Sequence, residues 1–329
     1  MRLAIVVPCF NEAAVVAETA AQLTGLLDRL AAAGTIAEAS RVYFVDDGSS
    51  DATWDIVERL HRSDQRICGI KLSANRGHQN ALLAGLLAAE GDVIVSIDAD
   101  LQDDVEAIAA MIGAWETGCD IVYGVRAARP QDTFFKRASA WLYYRMMAAM
   151  GVQVVIDHAD FRLMSRTAIE ALRAYPEVNV FLRGIIPLLG FRSARIEYAR
   201  KSRIAGESKY PLRRMISLGV QGVTSFSAVP LRLITALGFL VSIGSLALAL
   251  WAIWIRLFAD AAVPGWASTV VPIYFLGGVQ LLCIGIIGEY LAKTYIEVKG
   301  RPRFFIERVL GSVVHTSERA ARAREPTDV

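Results

Sequence analysis

The sequence predicts an α/β protein with a mostly parallel sheet and helices on both faces, followed by a C-terminal hairpin of two transmembrane helices. Three observations support this fold class. Short β-branched runs alternate with amphipathic stretches in the N-terminal part, which is typical of βαβ units. Two long stretches near the C-terminus carry no charge. Of the 329 residues, 54% are hydrophobic and 21% are charged, so the chain is more apolar than an ordinary soluble domain.

Five runs are predicted to be strands, and their continuous apolar character is typical of strands buried on both sides. They lie at residues 3–8, 41–47, 67–72, 93–98 and 120–125. The amphipathic stretches between them predict the covering helices, at residues 13–33, 52–62, 77–89 and 104–117.

Cysteines and charge exclude several classes of protein. The four cysteines are far apart and three lie in apolar strand-like runs, so we expect reduced packing residues and neither a zinc site nor a disulfide framework. The net charge of +2 argues against a nucleic-acid-binding protein, which would carry a strong basic excess. The N-terminal apolar run is too short for a signal peptide, and we therefore expect that the N-terminus is not exported.

The two charge-free stretches predict membrane spans at about residues 231–257 and 269–292. Arg232 and Arg256 enclose 23 uncharged residues, and Asp260 and Glu289 enclose 28. A helix of that shorter length spans about 34 Å, enough for a hydrocarbon core of about 30 Å. Buried helices of a soluble core are the alternative interpretation, but such helices seldom run so far without a charge.

Basic residues flank both predicted spans. Residues 192–214 hold eight Lys or Arg against two Glu, and five more basic residues lie at positions 293–308, after the second span. The positive-inside rule therefore predicts that the N-terminal domain and both termini are cytosolic and that the protein is a multi-pass protein of the cell (inner) membrane. Glycines that would allow close packing of span helices suggest a homo-oligomer. They are Gly277, Gly278, Gly285 and Gly288.

We divide the chain into four parts. Residues 1–205 form the N-terminal domain, and 206–230 form a basic amphipathic juxtamembrane segment. The two spans occupy residues 231–295, and a cytosolic tail occupies residues 296–329.

Polar side chains stand at or just beyond the carboxyl ends of the five predicted strands. Ligands bind at that edge of open α/β sheets, so these side chains predict a single site. They belong to Glu12, Asp46, Asp47, Asn75, Arg76, Asp98, Asp100 and Arg126.

The motif D-A-D-L-Q-D at residues 98–103 is the strongest signal for chemistry. Asp98 and Asp100 alternate after a buried strand and can address one Mg²⁺ or Mn²⁺, a cation that commonly bridges carboxylates to substrate phosphates. Gln102 can reach the same ion. A solvated acidic turn that caps the next helix is the alternative interpretation.

Two further motifs follow neighbouring strands. In D-D-G-S-S-D, Asp46 and Asp47 can accept hydrogen bonds from a base or a ribose, and Gly48 permits a tight turn. In A-N-R-G-H-Q-N, Arg76 and His78 stand beside a helix start, where backbone N–H groups favour anions. For His78 we favour a role in hydrogen bonding or packing over a role as a metal ligand.

Six motifs occur in order: P-C-F-N-E, D-D-G-S-S-D, N-R-G-H-Q, D-A-D-L-Q-D, D-H-A-D-F-R-L-M-S-R and R-I-A-G-E-S-K-Y. Together with the predicted membrane hairpin they resemble the inverting glycosyltransferase family 2. The resemblance is to its polyprenyl-phosphate glycosyltransferases, which include dolichol-phosphate mannose synthases and undecaprenyl-phosphate glucosyltransferases, and it covers roughly residues 1–300. It implies a GT-A fold and metal-dependent, inverting transfer of one hexose from a nucleotide sugar to a polyprenyl phosphate at the cytosolic membrane face.

The resemblance also implies roles for individual residues. Nucleotide-sugar binding falls to Pro8, Phe10, Glu12, Asp46, Asp47, Asn75, Arg76, Asp98 and Asp100. The metal, Mg²⁺ or Mn²⁺, falls to Asp98, Asp100 and Gln102. Asp160 matches the acidic residue that precedes F-R in the family and is the candidate catalytic carboxylate, to accept a last proton or orient the nucleophile, and Asp157 is the alternative. Acceptor or donor phosphates fall to Arg126, Arg137, Arg203, Ser208 and Lys209.

Some features of the function stay open at this point. UDP-glucose is the donor expected by resemblance, and UDP-N-acetylglucosamine, UDP-galactose and GDP-mannose are alternatives. A processive polysaccharide synthase would carry a Q-x-x-R-W motif and more spans, and a non-enzymatic membrane scaffold would not need intact acids at these positions. The sequence D-H-A-D replaces the family's frequent D-T-G-D, which leaves the loop geometry near Asp160 open.

Overall fold

The computed structural model describes residues 1–126, 158–178, 180–199, 228–258 and 266–314. The chain divides into two compact units, the first of residues 1–141, 154–210 and 300–329 and the second of residues 142–153 and 211–299. Several residues with predicted roles, and most of the predicted segment 206–230, lie outside the described residues. The residues are Arg137, Asp157, Arg203, Ser208 and Lys209.

Among the described residues, the first unit contains all eight strands and six of the eight helices. Its first half runs β1 (Leu3–Cys9), α1 (Val16–Ala32), β2 (Arg41–Asp46), α2 (Thr53–Ser63), β3 (Ile67–Leu72), α3 (His78–Ala88), β4 (Val93–Ser96), α4 (Ala107–Glu116) and β5 (Ile121–Arg126). There follow β6 (His158–Ser165), α5 (Arg166–Arg173), α6 (Leu182–Leu188), β7 (Ser193–Tyr198) and, near the C-terminus, β8 (Ile306–Leu310).

The strands form one mixed sheet in the order β7-β5-β6-β4-β1-β2-β3-β8. β1 pairs in parallel with β2 and β4, β2 with β3, and β5 with β7. β6 runs antiparallel between β4 and β5, and β8 runs antiparallel along β3. The five predicted strands and four predicted helices are all present, which confirms the α/β class.

Helices cover both faces of this sheet. Leu3, Ile5 and Val7 of β1 belong to a buried core that also takes in residues of α1, α2 and α4. α3 covers the opposite face so closely that a Cβ on Gly85 would lie 2.4 Å from Val6 Cγ1. Every residue of α3 from Ala81 onward is buried, so this helix holds its N-terminal end firmly at the carboxyl edge of β1 and β2.

The chain returns to the sheet after the two long apolar helices. β8 pairs with β3, and beyond it the Val314 N–H donates to the carbonyl of Ala88 at 2.8 Å. The predicted tail at residues 296–329 is therefore not wholly separate from the N-terminal domain. The sequence did not indicate this strand because its run, I-E-R-V-L, is short and two of its five residues are charged.

The second unit holds two long helices, α7 (Val229–Phe258) and α8 (Trp266–Lys299). Within them, Val229–Ala247 and Phe275–Lys299 are long and apolar enough to cross a membrane, judged by length and composition. Large apolar side chains such as Phe239, Leu281 and Trp254 are exposed along these helices. Both predicted spans thus fall within helices of sufficient length.

The cysteine prediction is confirmed. All four cysteines are free, and Cys9, Cys68 and Cys119 are buried.

Candidate functional site

The loops after β1 and β2 are joined by hydrogen bonds into one surface. The Asn11 N–H donates to Ser49 Oγ, and the Ser50 N–H donates back to Asn11 Oδ1, each at 2.9 Å. Asn11 adopts a positive φ of 55°, a conformation that asparagine tolerates better than most residues. The Glu12 N–H donates to Thr53 Oγ1 at 2.9 Å, which fixes the loop against the start of α2.

Asp47 connects the turn after β2 to the start of α3. Its two carboxylate oxygens accept the backbone N–H groups of Arg76 and Gly77, at 2.7 and 2.9 Å. Gly48 has a φ of +71°, and a Cβ there would lie 2.8 Å from the backbone of Asn75. The D-D-G motif therefore lets two loops touch where any other residue would separate them.

Asp46 and Asp47 are both buried at the end of β2. Asp46 accepts the Ser49 N–H at 3.2 Å, and its Oδ2 has no hydrogen-bond partner among the described residues. Burial raises the pKa of Asp46 and of Asp47, and backbone N–H groups lower each in part. Asp47 thus holds two loops together and Asp46 holds its own turn, and their predicted contact with the nucleotide stays a prediction.

The remaining residues predicted to bind the nucleotide sit on or under the surface that these loops form. Pro8 is buried in β1, whereas Phe10, Asn75 and Arg76 are exposed. An exposed aromatic ring beside polar backbone groups is suited to stacking on a base.

Asp98 lies in an accumulation of negative charge. Burial raises the pKa of Asp98 to about 6; His78 opposes this shift, and Asp160, Asp103 and Asp100 add to it. Asp100 accepts the backbone N–H of Gln102, whose side chain is buried, at 3.2 Å. A bound cation would relieve the repulsion among these acids.

We tested whether this acidic turn fits the predicted metal. No group of three or more His, Cys, Asp or Glu side chains in the described part of the chain is arranged to enclose a metal ion. Mg²⁺, however, is usually held by one or two carboxylates together with substrate phosphates and water. The turn with Asp98 and Asp100 fits that kind of open site, and Gln102 remains a predicted third ligand.

Asp160, on β6, is surrounded by hydrogen-bond donors although its side chain is only 6% exposed. Arg162 Nη2 donates to Oδ1 at 2.5 Å, and Gln79 Nε2 donates to Oδ2 at 3.1 Å. Arg183 donates from Nε to Oδ1 at 3.3 Å and from Nη2 to Oδ2 at 3.2 Å. Burial alone would raise the pKa of Asp160, but His78 and the two arginines outweigh it and hold the pKa well below its usual range.

His78 joins the two acidic positions. Its Nε2 lies 3.3 Å from Asp160 Oδ2 and 3.6 Å from Asp98 Oδ1. Burial lowers the pKa of His78, but both carboxylates raise it and the net shift is upward. Asp98 and Asp160 are far apart in sequence, and the structure brings them to the same imidazole.

Arg126, at the end of β5, is a further cation of the site, and Tyr198 and Asp103 hold its side chain in place. Its Nε donates to Tyr198 Oη at 3.3 Å and its Nη2 lies 3.4 Å from Asp103 Oδ1. Tyr198 in turn donates to Asp103 at 2.5 Å. Of the five residues predicted to bind phosphate, Arg126 is the one that the structure describes.

Sequence reasoning missed several residues of this site. Gln79 lies in the motif A-N-R-G-H-Q-N, but the motif gives no signal for its contact with Asp160. Arg162 and Arg183 were missed because neither follows a strand that the sequence predicted. For Arg162 there was one usable signal, since D-F-R places it two residues from Asp160 on the same face of a strand.

Comparison with known proteins gives concordant results. Residues 4–173 match the family described as Glycosyl transferase family 2. The chain is 48% identical over 307 residues to the uncharacterized glycosyltransferase YkoT of Bacillus subtilis (strain 168), covering 93% of this chain and 91% of YkoT. It is 39% identical over 269 residues to the prophage bactoprenol glucosyl transferase homolog of Escherichia coli (strain K12), covering 82% and 88% of the two chains.

Two further proteins resemble the chain. The bactoprenol glucosyl transferase of Shigella phage SfII is 39% identical over 268 residues, with 81% of this chain and 87% of that protein covered. Among solved structures, glucosyl-3-phosphoglycerate synthase from Mycobacterium tuberculosis in complex with Mg²⁺ and UDP matches with a TM-score of 0.47 and 17% identity, over 68% and 77% of the two chains. That structural similarity is too distant to bear on function.

Proposed function

Because this chain belongs to glycosyl transferase family 2, we propose that it transfers glucose from UDP-glucose to undecaprenyl phosphate, with inversion at the anomeric carbon. The chain is a glycosyltransferase. The bactoprenol glucosyl transferases among its relatives support glucose as the sugar and a polyprenyl phosphate as the acceptor.

The observation that carries the proposal is the convergence of Asp98 and Asp160 on His78. One acid lies in a negatively charged turn suited to a metal-bound diphosphate, and the other is surrounded by cationic groups suited to an anionic acceptor. A transferase needs its donor and its acceptor side by side, because holding two reactants together removes much of the entropic barrier.

On the donor side, Asp98 and Asp100 would hold Mg²⁺ or Mn²⁺ against the diphosphate, with Gln102 nearby. The metal when bound would neutralise charge that develops on the leaving nucleotide. The linked loops after β1, β2 and β3 would receive the base and ribose, with Phe10, Asn75 and Arg76 at the surface.

On the acceptor side, the nucleophile is already an anion near neutral pH because it is a phosphate oxygen. A strong base is therefore unnecessary, which agrees with the depressed pKa of Asp160. We assign to Asp160 the role of holding cationic side chains at the position where the acceptor phosphate arrives, and Arg126 would provide a second positive charge there.

The chain path supports the membrane arrangement that we propose. β8 belongs to the same sheet as β1 to β7, so the chain must cross any membrane an even number of times between Tyr198 and Ile306. Two helices apolar enough to span satisfy this requirement. We infer a multi-pass protein with the sheet on the cytosolic side, because basic residues flank both helices.

The test is transfer of labelled glucose into lipid by the full-length protein in the presence of Mg²⁺. With undecaprenyl phosphate as acceptor, we expect label in the organic extract and none when undecaprenol replaces it. Asp100→Asn should reduce transfer by at least about 100-fold while leaving the protein folded. Asp55→Asn, the same chemical change at an exposed position of α2, is the control and should transfer normally.

Different failures have different meanings. Label from UDP-N-acetylglucosamine, UDP-galactose or GDP-mannose in place of UDP-glucose would correct the sugar and keep the acceptor. The absence of lipid-linked label with all four donors would contradict the proposed function.

A further inference from the structure

Arg183 presents one edge of its guanidinium to Asp160 and the other outward. Its Nε and Nη2 take the two carboxylate oxygens, at 3.3 and 3.2 Å. The side chain is nevertheless 43% exposed, and its Nη1 makes no hydrogen bond to any described residue. A guanidinium has five N–H donors in a fixed plane, so the outer edge keeps three of them for a ligand.

Arg162 cannot play the same part. Its side chain has no exposed surface, and it reaches Asp160 from within the sheet, since it lies on β6 opposite Ser96 of β4. It fixes the carboxylate from the buried side, which leaves Arg183 as the arginine of this pair that an external ligand can reach.

Gln79 links the backbone beside Arg183 to Asp160. Its amide nitrogen donates to Asp160, and its Oε1 accepts the backbone N–H of Leu182, the residue before Arg183, at 3.1 Å. The start of α6 is thus connected through one side chain to the same carboxylate that Arg183 binds. The guanidinium is held in place before any ligand arrives.

Charge explains why a phosphate suits this position. Burial lowers the pKa of Arg183, but Asp160 and Asp98 raise it and the net shift is upward, with the positive charge of Arg126 acting against them. A phosphate bound to Arg183 would offset the repulsion from Arg126. Phosphate and guanidinium also form bidentate, charge-assisted hydrogen bonds, which are among the strongest in proteins.

We propose that Arg183 binds the phosphate of the polyprenyl acceptor through its outer edge while its inner edge stays on Asp160. This inference rests on the proposed function, because it requires a phosphate-bearing acceptor. Arg183 then separates two anions that would repel each other in direct contact, and Asp160 acts on the acceptor through it as a positioning residue.

The first experiment measures steady-state transfer by full-length Arg183→Gln, Arg183→Lys and the control Arg62→Gln, which removes an arginine that is 74% exposed on α2. We expect Arg183→Gln to raise the KM for undecaprenyl phosphate at least about 10-fold, with the KM for UDP-glucose within about twofold of wild type. Arg183→Lys should lie between, since lysine keeps the charge and loses the planar fork. A fall in kcat with unchanged acceptor KM would assign Arg183 only to positioning Asp160 and would overturn the proposal.

The second experiment needs no turnover. Undecaprenyl phosphate and undecaprenol are titrated separately into the full-length protein without donor or metal, and the ratio of their affinities measures the contribution of the phosphate. We expect Arg183→Gln to reduce that ratio about 10-fold, and Arg62→Gln to leave it unchanged. If Arg183→Gln does not fold, Arg183→Lys is compared in its place.

The two arms separate the two proposals. A wild-type preference for the phosphate that Arg183→Gln loses, together with no sugar transfer, would contradict the proposed function and support the role of Arg183. A preference equally strong in wild type and in Arg183→Gln would overturn that role, whatever the transfer assay shows.

Discussion

Asp98 and Asp160 are neighbours in space with opposite surroundings. Asp98 follows β4, Asp160 lies on the adjacent β6, and both approach the same His78 nitrogen. Asp160 receives hydrogen bonds from two arginines and a glutamine. Burial raises the pKa of Asp98 to about 6, and the acids Asp160, Asp103 and Asp100 add to the shift.

Within the fold, the Asp160 half of the site, which is Asp160 and its hydrogen-bond partners, is complete. The Asp98 half, which is Asp98 and its acidic neighbours, is not. The charge of Asp160 is compensated within the fold, so its neighbourhood is part of what folding stabilises. The charge of Asp98 is compensated only in part, by His78, and a cation from outside would complete it. Mg²⁺ is commonly bound by one or two carboxylates together with substrate phosphates, so we expect Asp98 to bind a metal together with the substrate diphosphate and not to hold it permanently.

The largest effect on stability should come from Asp160→Asn. The change removes the charge that faces Arg162, whose side chain is 0% exposed, and breaking a buried pair from one side costs about 3–5 kcal/mol. Chemical or thermal denaturation of the full-length protein in detergent should show this loss, and Asp55→Asn should show almost none.

A double variant examines the cause. Replacing both partners, as Asp160→Asn with Arg162→Met, leaves no buried charge unpaired and should recover much of the stability. If Asp160→Asn alone were as stable as wild type, the ion pair would contribute nothing to folding and the distinction between the two halves would fail.

Asp98→Asn should show the reverse pattern, with activity lost and stability kept. The neutral amide relieves repulsion from Asp100, Asp103 and Asp160, so the melting temperature should stay the same or rise. Glucose transfer should fall at least about 100-fold, which corresponds to about 2.7 kcal/mol in the barrier. Transfer by the wild type should likewise stop in EDTA and return with Mg²⁺ or Mn²⁺.

Ligand binding supplies a further measure of the same variant. UDP with Mg²⁺ should raise the melting temperature of the wild type, whereas the increase in Asp98→Asn should be smaller. A variant that binds UDP and Mg²⁺ as well as wild type would show that Asp98 does not hold the metal-bound diphosphate.

The sequence predicted the Asp98 half of the site better than the Asp160 half. Asp98 and Asp100 follow a run of apolar residues, and parallel strands end at a common edge, so local pattern and fold class sufficed to group them. The contacts of Asp160 depend on β6 lying between β4 and β5. Strand order is set by long-range pairing, and no local pattern in this sequence carries it.

The same reason accounts for β8 and for the buried acids. β8 joins the sheet after two long helices, and nothing in I-E-R-V-L indicates a partner so distant in sequence. The motif D-D-G-S predicted a turn correctly, but not that Asp47 would accept the N–H groups of Arg76 and Gly77. Those bonds exist because Gly48 lets the next loop approach within contact distance.

The smallest predicted effect concerns His78, which connects Asp98 to Asp160. Its side chain is 44% exposed, so its contacts with the two acids should contribute less than about 1 kcal/mol to stability, and His78→Gln should melt near the wild-type temperature.

The informative quantity is the coupling between Asp98→Asn and Asp160→Asn in a double-mutant cycle. Neighbouring residues commonly couple by about 0.5 kcal/mol or more, and coupling through the imidazole should shrink in the His78→Gln background. An unchanged coupling would mean that the acids interact directly, and that donor and acceptor sides are linked without His78.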